Sequence, residues 1–309
     1  QGFQIVLTTI PEKFDMILSK DHPSYSDLPG VWVLIGGLWV AHFAYWGFNQ
    51  YITQRALGAK SLPEAQKGVM FAAFLKLLMP IVVVLPGICA VVLIPQLDSP
   101  DTAYPAMMGL LPSGLLGLTF AALIAAIVSS LASMTNSVST IFTMDIYKQF
   151  LSEQVDERKL VVVGRNVALI SIVVAALCAQ PLLGNLESAF QYIQNFTGFF
   201  TPGILVIFLV ALFWKKATSL SVLVAALASL ILSIAMFMFA PDDFPFQHRM
   251  GIVFLVTGFL CYMTALVQGY TDQEKAVDLN SINFQTSKGF NISTIVILVI
   301  LIIIYSMWW

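Results

Sequence analysis

The sequence predicts an all-α protein that crosses a membrane many times, and three observations lead there. Hydrophobic residues make up 58% of the 309 positions and charged residues only 10%, against about a quarter charged in an ordinary soluble domain. The 15 basic and 17 acidic residues crowd into short intervals between long uncharged stretches, and the mean hydropathy is +0.85. None of the apolar stretches alternates polar and apolar residues as a lipid-facing barrel strand must. This much apolar surface excludes a soluble globular domain, a disordered tail and a nucleic-acid binder. A net charge of −2 says nothing about partners, so the positions of the charges carry the information.

The first thirty residues are polar and mixed, without a basic-then-apolar leader, and the chain opens on Gln1, so it reads as the later part of a longer protein. Cys89, Cys178 and Cys261 lie in apolar stretches without metal-ligand or CxxC spacing; each is expected to be a small buried apolar residue, with no disulfide framework.

A membrane helix needs roughly 20 mostly apolar residues. Seven stretches qualify outright: 31–51, 69–95, 114–143, 188–214, 218–240, 250–270 and 290–309. An eighth, 160–181, qualifies if Arg165 snorkels to the membrane edge. Alternating eight spans divides the loops into two sets. One holds eleven Lys and Arg residues, in the loops around 55–67, 148–165, 215–216 and 275–288; the other holds Lys13, Lys20 and Arg249. By the positive-inside rule the richer set is cytoplasmic. Residues 1–29 are then an extracellular or periplasmic loop, and the C-terminus is outside as well. A bacterial inner membrane is the expected location.

All seventeen acidic residues lie in loops or at span edges, and no charge occurs between Asp101 and Asp145. A proton-driven transporter usually carries an intramembrane carboxylate; this stretch of sequence has none. Two ionisable side chains do sit at depth, His42 and Lys76. Lys76 is either a snorkelling cation, roughly 10 Å from the span edge by helical rise, or an ammonium offering three donors to a polar solute in a watery cavity.

Around His42 runs Gly36-Gly37-Leu38-Trp39-Val40-Ala41-His42-Phe43-Ala44-Tyr45-Trp46-Gly47-Phe48-Asn49-Gln50-Tyr51. The glycines leave room for backbone to unwind beside a cavity. The aromatics suit either a sugar ring or the interfacial belt. In the third span Ala126, Ser129, Ser130, Ser133 and Ser137 share a helical face, read as close helix packing or as a weak sodium site built from hydroxyls and carbonyls. The fifth span carries Phe190, Gln191, Gln194 and Asn195 before Gly198 and Pro202-Gly203, which predict a break halfway along. The Asn195-Phe196-Thr197 sequon falls inside the membrane and is expected to go unused.

At these residues a resemblance appears. Ala44-Tyr45-Trp46-Gly47-Phe48-Asn49-Gln50-Tyr51-Ile52-Thr53-Gln54-Arg55, Ala125-Ala126-Ile127-Val128-Ser129-Ser130-Leu131-Ala132-Ser133-Met134, Phe142-Thr143-Met144-Asp145-Ile146-Tyr147-Lys148 and Gln191-Tyr192-Ile193-Gln194 resemble the sodium/solute symporter family, in its galactose- and glucose-carrying branch. The likeness runs from about Phe14 to the end. It implies a LeuT-type fold of two inverted five-helix repeats, with residues 30–214 as the second repeat and 215–309 as three additional spans. The missing N-terminal half would hold the first repeat.

The resemblance also implies roles. Lys76 and Gln194 would hydrogen-bond the sugar, Tyr45 would stack on it and close the cytoplasmic side, Trp46 would line the site, and Phe190 would be an outer gate. Ala126 and Ser129 would give a sodium ion their carbonyls, and Ser130 its hydroxyl. His42 stands where galactose carriers of the family place an amide-bearing sugar ligand, so the substrate need not be galactose. The first repeat would supply further sodium ligands and an acidic sugar contact, so this stretch alone is not expected to transport.

The function expected is therefore sodium-coupled sugar import across the lipid bilayer by alternating access. One alternative is a sodium symporter for another polar solute, such as a carboxylate, osmolyte or vitamin. Another is an intramembrane enzyme using His42 and Lys76, disfavoured because no nucleophile or metal spacing accompanies them.

Overall fold

The computed structural model describes residues 2–97, 99–151, 156–183, 189–241 and 243–309, without the side chains of Gly2, Leu151 and Leu183. In chain order the helices are α1 (Gly2–Thr9), α2 (Val31–Ile35), α3 (Leu38–Phe43), α4 (Gln50–Leu57), α5 (Leu62–Lys76), α6 (Leu85–Leu93), α7 (Ala103–Gly109), α8 (Ser113–Thr140), α9 (Glu157–Leu183), α10 (Ala189–Gly198), α11 (Thr201–Phe213), α12 (Ser219–Phe239), α13 (Phe246–Val267) and α14 (Lys288–Met307). Wider π turns follow α3 at Ala44–Phe48, precede α6 at Pro80–Val84 and extend α8 over Ile141–Leu151. No strand occurs among the described residues.

Six helical runs are long and apolar enough to span a membrane: Leu62–Leu93, Ser113–Phe150, Glu157–Leu182, Ser219–Phe239, Phe246–Val267 and Lys288–Met307. With α10 and α11, bent by 44° at the break the glycine and proline predict, a seventh span forms. The protein is thus multi-pass, but the expected count of eight is not met by continuous helices. Residues 31–51 are not one helix but α2, α3, a π turn and the start of α4.

The chain forms two compact units, residues 1–79 with 190–309, and residues 80–189. In the first, α11, α12 and α13 pack together. Lipid tails are as apolar as leucine, so helices here associate through close backbone approach over small residues. Accordingly α12 buries Ser221, Ala225, Ser229 and Ser233, one per turn, and α13 buries Val253, Thr257, Cys261 and Ala265 at the same spacing. Gly203 of α11 meets Ser229 so tightly that a Cβ on it would lie 2.6 Å from the serine Cβ.

The same device explains the interrupted segment 31–51. A side chain at Gly37 would collide with the Gln247 carbonyl, and Gly251 of α13 faces the Gly36–Gly37 backbone, 3.2 Å from the Gly36 carbonyl carbon for a built Cβ. The helix is interrupted at the two glycines, as expected of them, and the room they leave is taken by backbone contact with α13.

Contacts between chain ends sort the loops of this unit. Gln66 of α5 grips the chain before α14 with both amide atoms: its Nε2 donates to the Gln285 carbonyl and the Ser287 N–H donates to its Oε1, each at 3.0 Å. In the same 268–288 loop, the Gln273 N–H donates to the Lys215 carbonyl at 2.9 Å and Lys215 pairs with Asp278 at 3.5 Å. The Asn280 N–H holds the Asp278 carboxyl below the usual carboxylate range, and Lys215 adds to this. Elsewhere, the Met16 N–H donates to the Trp308 carbonyl at 2.8 Å and Gln247 Nε2 to the Asp27 carbonyl at 3.3 Å. These contacts join the ends near 66, 215 and 273–287 to one another, and those near 16, 27, 247 and 308 to one another, the grouping that alternation of the spans gives these segments.

In the second unit α8 packs along α9, where Ser139 Oγ donates to the Gly164 carbonyl at 2.7 Å and Thr143 is buried alongside. The cysteines depart from expectation: only Cys261 is buried, Cys89 is half-buried and Cys178 is exposed. All three are free thiols.

Gly203→Ala forces α11 and α12 apart and should destabilise by about 1–3 kcal/mol, seen as a lower thermal midpoint in detergent. Adding Ser229→Gly should recover most of the loss. Gly68→Ala, with open space around the added carbon, should leave the midpoint unchanged or slightly higher.

Candidate functional site

The segment from α3 to α4 presents two opposite faces. Val40, Ala44 and Phe48 recur every four residues and pack inward: Val40 and Ala44 are buried against Leu205, and Phe48 stacks on Phe208 at 4.9 Å. Trp39 meets Phe254 edge-on, also at 4.9 Å. That anchoring leaves His42, Tyr45 and Trp46 on the outward side, with the two aromatics 40% and 44% exposed.

Tyr45 and Trp46 belong to the π turn Ala44–Phe48, a rare geometry that recurs at functional sites because it re-aims side chains within a helix. The turn ends at Asn49, whose extended backbone (φ −82°, ψ 117°) breaks the helix and whose side chain caps α4 by accepting from the Tyr51 N–H at 3.3 Å. Across this break the hydroxyls of Tyr45 and Tyr51 hydrogen-bond, and their rings meet edge-on at 5.9 Å. Trp46 packs edge-on to Tyr45 at 5.2 Å.

Lys76, the last residue of α5, brings its ammonium over the Trp46 ring, 5.1 Å from the centroid. It stands about 21 Å by helical rise from the start of the Leu62–Leu93 run. Its ammonium meets the indole face, a cation–π contact, while keeping hydrogen-bond donors available. His42 lies within electrostatic reach of the same ammonium. Four of the residues singled out from sequence, His42, Tyr45, Trp46 and Lys76, are therefore neighbours. Together they offer aromatic rings set nearly at right angles, a cation and hydroxyl groups, which suit a ring with an apolar face and a polar edge.

The other candidates lie on α10 and α8. Gln194 is half-buried on α10, and among the described residues its amide makes no hydrogen bond to His42, Tyr45 or Lys76. Phe190 is exposed on the first turn of α10. The helix turns at Phe199–Phe200, where Thr201 Oγ1 donates to the Thr197 carbonyl at 2.8 Å.

In the second unit Ala126, Ser129 and Ser130 are exposed on α8, which is unbroken from Ser113 to Thr140. Ser133 Oγ donates to the Ser129 carbonyl at 3.1 Å, so that oxygen carries a side-chain bond. Among the described residues no cluster of three or more His, Cys, Asp or Glu could hold a metal.

Sequence reasoning passed over Tyr51, the hydrogen-bond partner of Tyr45. Its signal was present: two tyrosines six residues apart on either side of an Asn able to cap a helix. Ser139 and Gly164, which bind α8 to α9, left no comparable trace, because they lie on different helices.

A broken helix pair and a polar-aromatic cluster carried on apolar spans are the marks of a membrane transporter. Comparison with known proteins supports that class and narrows it. The profile of the sodium:solute symporter family matches residues 5–232, and the chain belongs to this family. Over its whole length it is 46% identical to the sodium/glucose cotransporter of Vibrio parahaemolyticus, covering 60% of that protein. It is 28% identical over 99% of its length to the uncharacterized symporter YidK of Escherichia coli, covering 53% of it. Over 69% of the chain it is 34% identical to human sodium/myo-inositol cotransporter 2, covering 34% of that relative. The chain thus spans less than two-thirds of each of these proteins. Membership of a symporter family sets aside the intramembrane enzyme.

Tyr45→Phe and Tyr51→Phe should each cost about 1 kcal/mol, and the double variant no more than either alone. A double-mutant cycle on thermal unfolding measures this coupling.

Proposed function

We propose that this chain is the C-terminal portion of a sodium-coupled symporter that imports a sugar, glucose-like or galactose-like, by alternating access. The observation carrying this reading is the meeting of Lys76, Trp46 and Tyr45, within a chain 46% identical along its whole length to a sodium/glucose cotransporter. Two of the relatives are named for glucose and myo-inositol, both six-membered rings rimmed with hydroxyls, and an ammonium beside exposed aromatic rings suits such a ring.

In this reading residues 30–214 form the second five-helix repeat of a LeuT-type fold, and 215–309 add three spans. Residues 1–29 and the C-terminus face outward, in a bacterial inner membrane. The first repeat, in the N-terminal half, completes both sites. Sodium binds at the carbonyls of Ala126 and Ser129 and the hydroxyl of Ser130, and favours the outward-open arrangement. The sugar then docks on Lys76, Gln194 and His42, stacked on Tyr45 beside Trp46. Phe190 closes over it from outside. Inward release follows when Tyr45 swings away, and the Tyr51 hydroxyl is the bond it exchanges in doing so. The membrane potential supplies about 2.3 kcal/mol per sodium charge per 100 mV, and the sodium gradient adds to it.

A second reading rests on His42, which puts another basic nitrogen near Lys76. A carboxylate-bearing solute would meet both, whereas an osmolyte or vitamin would use the aromatic wall alone. Competition by a panel of sugars, polyols and acids for sodium-driven uptake separates these substrates.

The test is uptake by the intact transporter in proteoliposomes. Lys76→Gln should raise the half-saturating sugar concentration about 10- to 100-fold and leave sodium dependence alone. Ser130→Ala should raise the half-saturating sodium concentration about tenfold. Unchanged sodium dependence in Ser130→Ala would overturn the ion-site assignment.

A further inference from the structure

Arg249 is the conspicuous charge that symport leaves unused. It lies half-buried in the first turn of α13, where it borders a small pocket with Asn195, Phe199, Ser233, Phe237 and Met250. Its guanidinium lies over the Phe237 ring, 5.8 Å from the centroid, and among the described residues it pairs with no carboxylate. This is a costly place for a lone cation. The apolar surroundings penalise its charge, and the N-terminal end of a 22-residue helix adds partial positive charge.

Among the described residues, two further groups in the pocket are unsatisfied. Ser233 is only 8% exposed, and its hydroxyl has no hydrogen-bond partner. Asn195 buries its side-chain oxygen, again without a partner. A buried polar atom left unpaired costs roughly 1–3 kcal/mol, so a hydroxyl, an amide and an unpaired guanidinium around one space call for a shared occupant. The occupant has to accept hydrogen bonds and carry negative charge. An amide whose nitrogen and oxygen exchange places can supply N–H, and a serine hydroxyl rotates to donate. The space between the three polar groups is narrow and suits a small ion.

We propose that this pocket binds a single small inorganic anion, of which chloride is the physiological example, through Arg249, Ser233 and Asn195. By the loop assignment it opens toward the outer side of the membrane, the chloride-rich side for a cell in saline surroundings. The anion neutralises the arginine and fastens α10 to α12 and α13.

The experiment measures thermal unfolding of the purified intact protein at constant sodium and ionic strength, replacing gluconate stepwise with chloride or bromide. Wild type should rise by several degrees with saturation. Arg249→Gln should abolish the rise or shift its midpoint at least about tenfold, and Ser233→Ala should weaken it. Should Arg249→Gln fail to fold, bromide-soaked wild-type crystals should show an anomalous peak within hydrogen-bond reach of the Arg249 guanidinium. Equal midpoints in gluconate and halide, a halide effect undiminished by Ser233→Ala, or no bromide peak would overturn the proposal and leave a trapped water as the occupant. Unfolding needs no transport, so this outcome is independent of whether the symporter reading holds.

Discussion

How closely two helix backbones can approach is the constraint on which the larger unit depends. No solvent drives apolar side chains together inside a bilayer, so the gain comes from backbone meeting backbone over residues too small to hold it away. Gly203 against Ser229, and Gly36–Gly37 against Gln247 and Gly251, are the points where that approach is tightest. Seated on α11 and α13 through Val40, Ala44 and Phe48, the π turn then has a defined outward face. The position of the aromatic wall is thus a result of small-residue packing one layer behind it.

Much of the architecture was legible because lipid imposes simple rules. Long uncharged runs marked the spans, and their alternation grouped the loops as the Gln66, Lys215, Met16 and Gln247 contacts group them. The kink in α10–α11 followed from Gly198, which ends α10, and Pro202, which sits in the first turn of α11, the positions where these residues favour a break. Residues 31–51 were read less well. Hydropathy measures transfer into lipid and does not register a backbone pressed against α13, so a segmented stretch looked like a continuous span. The cysteines failed for a related reason: apolar surroundings in a sequence do not distinguish a protein neighbour from a lipid chain.

The candidate site was legible by half. His42, Tyr45, Trp46 and Lys76 fall together, since the first three ride on one short segment and the lysine is rare at depth. Gln194 does not join them by hydrogen bond, because spacing along a chain carries no information on the distance between separate helices. The serine face of α8 remained ambiguous because packing and ion binding both favour small polar residues. The anion pocket had no sequence signature at all, since Asn195, Ser233 and Arg249 come from three helices.

The two-handed grip of Gln66 on Gln285 and Ser287 joins a lysine-bearing helix to the last helix of the chain. Any tilt of α5 during a transport cycle would be handed on to α14 as if the two were riveted at one end. Motion at Lys76 would then be legible at the far periphery, where Trp308 rests against Phe14. The pair of rings is a natural fluorescent gauge of a stroke that begins deep in the membrane.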